Sequence, residues 1–262
     1  MSFRIATYNI LADAYARPDR YPESPPEALD WPRRSRLLHA ELHDLDCDVL
    51  CLQEVQPEAF EDFDARMRAF GFRGHYARKG QHKPDGCATF VNATVFPDQT
   101  ADILYFRDGA GSADSGHLAL TVVAAGEGKR IGLTNTHIKW DPPNTPAENR
   151  WGLRQIEEWL ERRETIAPNA EWVVCGDFNV VSEDPVISRL IESGFADAHP
   201  RDLGPTCVAN GRARKIDFIL HTRGIESIGQ SPFPLDSSVV LPSLALPSDH
   251  VPLVAALTSG AM

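Results

Sequence analysis

The sequence contains no apolar run approaching the roughly 18 residues that span a bilayer. Its first ten residues, MSFRIATYNI, do not lead from a basic segment into an apolar one. The expectation is a cytoplasmic protein that does not contact a membrane. Cationic excess is missing too: 26 Lys and Arg face 37 Asp and Glu, a formal net charge of −11. Such a body repels a long polyanion, so duplex DNA is not an expected partner. Cysteines are few, and the five present (Cys47, Cys51, Cys87, Cys175, Cys207) are odd in number and scattered. That argues against a disulfide framework and for buried free thiols. Cys47 and Cys51 lack the second Cys or His pair that a structural zinc site needs. There is no GxGxxG fingerprint, no internal repeat and no low-complexity tract. At 42% apolar and 24% charged residues the chain reads as globular. With no linker between two compositions, residues 1–262 are expected to form a single domain.

What is present is an alternation of short strands and helices. Residues 3–10 read as a strand, and Pro18, Pro22, Pro25 and Pro26 bar regular structure until Asp30 and Pro32 open a helix with Leu38, Leu42 and Leu45 on one face. A buried strand follows at 48–53. A second helix places Phe60, Phe63, Met67 and Phe70 in the core before Gly71 stops it. Five strands are expected near 72–77, 86–92, 101–107, 117–124 and 129–136. A helix with Leu153, Ile156 and Leu160 inward, a strand at 171–176 and a helix ended by Gly194 come next, and strands at 214–221 and 251–257 close the chain. Strands outnumber helices about two to one, which favours packed sheets with helices outside over a single Rossmann-like sheet.

Polar residues recur where these strands end: Asn9, Glu54, Asn135 with His137, and Asp177 with Asn179, joined by Asp217 inside RKIDFILH and by Asp249 and His250 before the last strand. Singly, each is an ordinary turn residue, cap or hydrogen-bonded histidine. Together they hold the parts that hydrolysis of a phosphate ester requires: oxygen ligands for a hard cation, a base for water, and donors for charge growing on phosphoryl oxygens. Glu54 suits Mg²⁺, with Mn²⁺ an expected substitute, and Asp177 suits the base. Asn9 and Asn179 are amide donors, His137 and His250 face phosphate, and Asp217 sets the protonation of His250 in the manner of a triad acid.

In this order TYNIL (7–11), LQEV (52–55), TNTH (134–137), GDFN (176–179), KIDF (215–218) and SDH (248–250) resemble the endonuclease/exonuclease/phosphatase superfamily along nearly the whole chain. The resemblance implies an α/β four-layer sandwich, two packed mixed β-sheets with helices on the outer faces, and a metal–phosphate site along the strand ends. It implies Glu54 as metal ligand, with Asn9 and Asp249 beside the metal. Asp177 and Asn179 would orient water, Asp217 would act as the acid, and His137 and His250 would contact phosphate. KPDGCATF (83–90), THIKWDP (136–142) and LPSDHVPL (246–253) are similar to the branch of poly(A) deadenylases, nocturnin and the Angel proteins. The implied substrate is an RNA 3′ end or a ribonucleotide. Pro142 matches one side of an adenine clamp, and Arg212 stands where that branch has the opposing phenylalanine. Lys83 and Lys139 are placed to reach a second phosphate. A nucleotide phosphomonoesterase or 2′,3′-cyclic phosphate hydrolase, a DNA-repair nuclease and a non-catalytic binding module are the alternatives.

Overall fold

The computed structural model describes residues 1–109, 114–142, 144–199, 203–209 and 211–260. In chain order its strands are β1 (Ser2–Asn9), β2 (Val49–Val55), β3 (Phe72–Arg78), β4 (Gly86–Asn92), β5 (Asp98–Tyr105), β6 (Leu118–Gly126), β7 (Lys129–His137), β8 (Glu171–Asp177), β9 (Phe195–Asp197), β10 (Cys207–Ala209), β11 (Arg212–Arg214), β12 (Asp217–Thr222), β13 (Ile225–Gly229) and β14 (Leu253–Ser259). Its helices are α1 (Trp31–Asp44), α2 (Pro57–Ala69), α3 (Trp151–Ile166) and α4 (Pro185–Glu192). One mixed sheet runs β13-β14-β1-β2-β4-β3, the other runs β5-β6-β7-β8-β12-β9, and β10 pairs with β11 in a separate ribbon.

The two sheets pack face to face through Ile5, Val49, Leu133, Val173, Ile219, Leu253 and Leu257, all buried. Each such side chain contributes roughly 1.5–3 kcal/mol relative to leaving it in water. α3 and α4 cover the second sheet with Ile156, Trp159, Ile187 and Leu190, and α1 and α2 cover the first with Leu38, Leu42 and Phe63. This is the expected four-layer sandwich. Asp30 accepts from Arg33 N at 3.3 Å and Asp184 from Val186 N at 3.0 Å, capping α1 and α4 at the helix starts. No helix among the described residues is long and apolar enough to cross a membrane.

Several local expectations are revised. Phe70 does not join the core: it is 60% exposed, one residue past the helix on the rim of a cavity of about 440 Å³ between α1 and α2. β5 starts three residues earlier than its apolar pattern suggests, because it pairs with β6 along an edge where only alternate side chains are partly covered. The stretch at 214–221 is two elements, since Arg212–Arg214 turns away to pair with Cys207–Ala209 before β12 begins. β9 and β13 carry too few apolar residues to announce themselves.

Candidate active site

Sheet register assembles the site. β7 and β8 run parallel with His137 opposite Asp177, and β12 runs antiparallel to β8 with Asp217 opposite the same Asp177. A base and its two flanking groups therefore form one row across three strands, at the end where the strands feed their loops. In the facing sheet, β1 and β2 pair Asn9 with Gln53. The ladder between β2 and β4 breaks at the next residue, with a register shift between Gln53 and Val55. Glu54 sits in that bulge at φ 58, a left-handed conformation that costs an ordinary residue about 1 kcal/mol or more. The bulge turns its carboxylate toward Asn9 and Asp177.

Asn9 is the bridge between the sheets. Its Nδ2 donates to Glu54 Oε1 at 3.1 Å and to Asp177 Oδ2 at 3.0 Å, while its Oδ1 accepts from Leu11 N at 3.0 Å. The amide oxygen accepts one backbone bond and keeps a second lone pair, and Glu54 and Asp249 supply the carboxylates for a cation beside it. Burial, followed by the charge of Asp249, pushes Glu54 above the ordinary carboxylate range; Asp85 adds to this and Lys79 opposes it. Tyr21 donates to Asp249 Oδ2 at 3.0 Å, and Ala12 N donates to Glu54 Oε2 at 3.0 Å. Two carboxylates close enough that the charge of Asp249 raises the proton affinity of Glu54 offer oxygen donors that fit a hard divalent ion.

Asp177 has its own setting. Burial pushes its carboxyl up to about 7, with His250 opposing and Asp217 reinforcing the shift. Asn179 N donates to its Oδ1 at 2.8 Å, which fixes the carboxylate plane. Two histidines stand beside Asp177 Oδ2: His137 Nε2 at 3.5 Å and His250 Nε2 at 3.6 Å. Burial disfavours charge on His250, but Asp217, Cys207 and Asp177 outweigh it and hold the ring cationic well above its usual range. Asp217 Oδ2 lies 2.8 Å from His250 Nδ1 and accepts from Thr206 Oγ1 at 2.6 Å. Ser248 Oγ donates to Asn9 O at 2.7 Å and accepts from His250 N at 3.2 Å, tying the SDH turn to β1.

His137 is the reverse case. Burial, then Lys79, His117 and His250, drive it well below its usual range, so it is neutral. Lys79 Nζ, which can only donate, lies 3.1 Å from His137 Nδ1, while Nε2 lies on the side of Asp177. Lys79 also donates to buried Asp85 at 2.7 Å, and Tyr15 donates to the other oxygen of Asp85 at 2.8 Å. Asn179 Nδ2 lies 3.0 Å from His137 Nε2 and donates to Ile138 O at 2.9 Å.

Sequence reasoning missed several residues of this site. Lys79 sits in a run of cations in which nothing separates it from exposed Arg73 and Arg78. Arg34, fully buried, donates through Nε to Pro247 O at 2.7 Å and through Nη2 to Ile10 O at 2.7 Å and to Leu11 O. It thereby joins the chain after Asn9 to the chain before Ser248. Tyr15 and Tyr21 come from the proline-rich loop. Lys83 and Lys139 are half-buried and near enough to Lys79 that all three charges act on one another and on His117. Pro142 and Arg212 are exposed, on the loop after β7 and at the tip of the β10–β11 ribbon. Lys215, by contrast, pairs with Asp197 at 2.6 Å. Asn135, which the motif order grouped with His137, is a structural brace. Its Nδ2 donates across the sheets to Leu52 O and Ala88 O at 3.0 and 2.9 Å.

The endonuclease/exonuclease/phosphatase sequence family matches residues 6–250. The chain belongs to that family. It is 26% identical to the CCR4-Not complex 3′-5′-exoribonuclease subunit Ccr4 of Candida albicans, over 97% of this chain and 41% of the relative. To the carbon catabolite repressor protein 4 homolog 1 of Arabidopsis thaliana it is 32% identical over 76% of this chain and 39% of that one. The chain thus spans about two fifths of the length of these curated relatives. Among solved structures it superimposes on ANGEL2, a 2′,3′-cyclic phosphatase, in complex with adenosine-2′,3′-vanadate, at a TM-score of 0.84 with 21% identity, covering 98% of this chain and 95% of that one. The human nocturnin catalytic domain with bound sulfate gives a TM-score of 0.73 at 23% identity, covering 99% and 94%. These two likenesses concern the fold.

Proposed function

We propose that this protein is a phosphoric ester hydrolase that acts on a ribonucleotide phosphoester, at an RNA 3′ end or in a small ribonucleotide, and that it does so with Mg²⁺. One observation carries the reading: a proton acceptor poised near neutral pH, Asp177, lies 3.6 Å from His250, whose ring is held cationic, and is joined through Asn9 to Glu54, whose proton affinity nearby Asp249 raises. A base works best when its proton affinity matches the operating pH. Asp177 orients and deprotonates a water. The His250 imidazolium, held by Asp217, takes up negative charge on the phosphoryl oxygens, and the uncharged His137 ring stands on the other side. Glu54 and Asp249 would hold Mg²⁺, which would supply Lewis-acid stabilisation of the charge on the phosphate.

The ribonucleotide reading draws on the clustered ammonium groups of Lys79, Lys83 and Lys139. In a body of net charge −11 they favour a substrate with few phosphates over a long duplex. Similarity to an exoribonuclease subunit and a cyclic phosphatase supports it further. The five buried free thiols support a reducing, cytoplasmic setting. The test is a panel of 3′-phosphate, 2′,3′-cyclic phosphate, 2′-phosphate and oligo(A) substrates with Mg²⁺, Mn²⁺ or excess chelator. Turnover of at least one ribonucleotide, lost with chelator and restored by Mg²⁺, is expected. Full activity in chelator, or activity confined to duplex DNA, refutes the reading.

A further inference from the structure

Beside the acidic pair lies a second group of donors of a different chemical kind. β10 is zipped to the SDH turn: Val208 N donates to Asp249 O at 2.9 Å, Val251 N donates to Thr206 O at 2.8 Å, and Cys207 forms a bridge pair with His250. This brings the Cys207 sulfur, a carboxylate oxygen of Asp249 and a ring nitrogen of His250 within 4.8 Å of one another, all three residues buried. Cys47, Cys51, Cys87 and Cys175 enter no such group among the described residues. Sulfur, nitrogen and oxygen donors at this spacing close onto a tetrahedral ion with bonds of about 2.0–2.3 Å after small side-chain movements, and they leave the fourth position open. Mg²⁺ does not take such a set, because a hard ion gains little from a thiolate; a borderline ion such as Zn²⁺ does.

The geometry points to an inhibitory site for Zn²⁺ and similar ions, formed by Cys207, Asp249 and His250. Binding forms one bond from each residue to the ion and releases the Cys207 thiol proton and one proton of the His250 imidazolium. The bound ion draws Asp249 away from the partnership with Glu54. It also ties up a ring nitrogen of His250, so that the ring no longer faces phosphate. Occupancy is therefore incompatible with turnover, although no part of the hydrolytic machinery is chemically altered. Cys207 enters the hydrolytic steps only as a neighbour of His250. The inhibitory consequence rests on the proposed phosphoesterase mechanism, whereas binding does not.

Co²⁺ titration of the full chain without Mg²⁺ tests binding directly, because a Co²⁺–thiolate bond gives a near-ultraviolet charge-transfer band whatever the activity. One equivalent of Co²⁺ should produce that band, Zn²⁺ should bleach it, and Cys207→Ser should abolish it. Measured against each protein's own turnover with Mg²⁺ alone, the Zn²⁺ concentration for half-inhibition should rise about tenfold or more in Cys207→Ser, the usual cost of disrupting a metal site. Cys207→Ala serves the same purpose if the serine variant melts at a lower temperature. Absence of the band in wild type, or equal Zn²⁺ inhibition of wild type and both variants, overturns the proposal. A band without hydrolysis of any ribonucleotide keeps the metal site and refutes only the proposed substrate reading.

Discussion

Two histidines stand at nearly the same distance from one oxygen of Asp177, 3.5 Å for His137 and 3.6 Å for His250, and their neighbours give them opposite charge. Both are buried, so the cost of charging each ring is comparable. The difference is what lies behind them. His250 has Asp217 at 2.8 Å on its far nitrogen, and His137 has the ammonium of Lys79 at 3.1 Å. The half of the site that contains His250 can meet an anion with a full charge. In the half that contains His137 that charge rests on Lys79, and the ring contributes a neutral N–H. A histidine's role is set less by its position on a strand than by the single charged group behind it.

The comparison breaks most completely if Asp177, which both rings face, is disabled. Asp177→Asn should lower kcat by about two to four orders of magnitude with the fold retained, the usual worth of a positioned base. Circular dichroism and steady-state kinetics on the same sample check this. Next in size is His250→Ala, which removes the cation and should cost about two to three orders of magnitude in kcat, whereas His137→Ala removes a neutral donor and should cost less. Equal losses for the two histidines would contradict the assignment.

The pH profile sharpens the contrast. Asp177 must be ionised to act and its carboxyl is pushed up to about 7, so kcat/KM should rise with pH across that region. His250 must stay protonated and is held well above its ordinary range, so activity should fall only at clearly alkaline pH. Asp217→Asn removes the charge that holds that proton, and the alkaline limb should move to lower pH while the acid limb is less affected. An unmoved alkaline limb would show that Asp217 does not govern His250.

On the Lys79 side the expected effect is on stability. Lys79→Met leaves Asp85 buried with only Tyr15 as a donor, and breaking a buried ion pair by removing one partner costs about 3–5 kcal/mol. Thermal melts of the variant against Lys79→Met/Asp85→Asn should show partial recovery in the double variant. The smallest effect concerns substrate shape. Arg212→Phe supplies a stacking ring and should improve oligo(A) over other sequences by about tenfold if a base reaches it. An unchanged ratio would assign Arg212 to phosphate.

Much of the frame was legible in the sequence because a polar residue that ends an apolar run is conspicuous. Asn9, Glu54, His137, Asp177 and His250 all read that way, and the structure brings them together. What stayed hidden depends on pairing that no local pattern encodes. The bulge at Glu54 exists only relative to β4. Lys79 differs from Arg78 only by facing inward, and Arg34 looks like one more cation in WPRRSR although it is fully enclosed. Asn135 shows the opposite failure, a residue in a site motif whose amide braces the two sheets instead. β10 and β11 were obscured because a three-residue ribbon offers no period to detect.

The central claim is that one histidine of this pair is charged and the other neutral. Nitrogen-edited NMR of the imidazole rings in the metal-free protein, followed across pH in wild type and Asp217→Asn, measures this without reference to substrate. The account predicts that at about pH 7 the His250 ring carries both protons and the His137 ring only one, and that Asp217→Asn lets His250 titrate at lower pH while His137 stays neutral. Two rings that titrate together near their ordinary value, or a charged His137 beside a neutral His250, would contradict it.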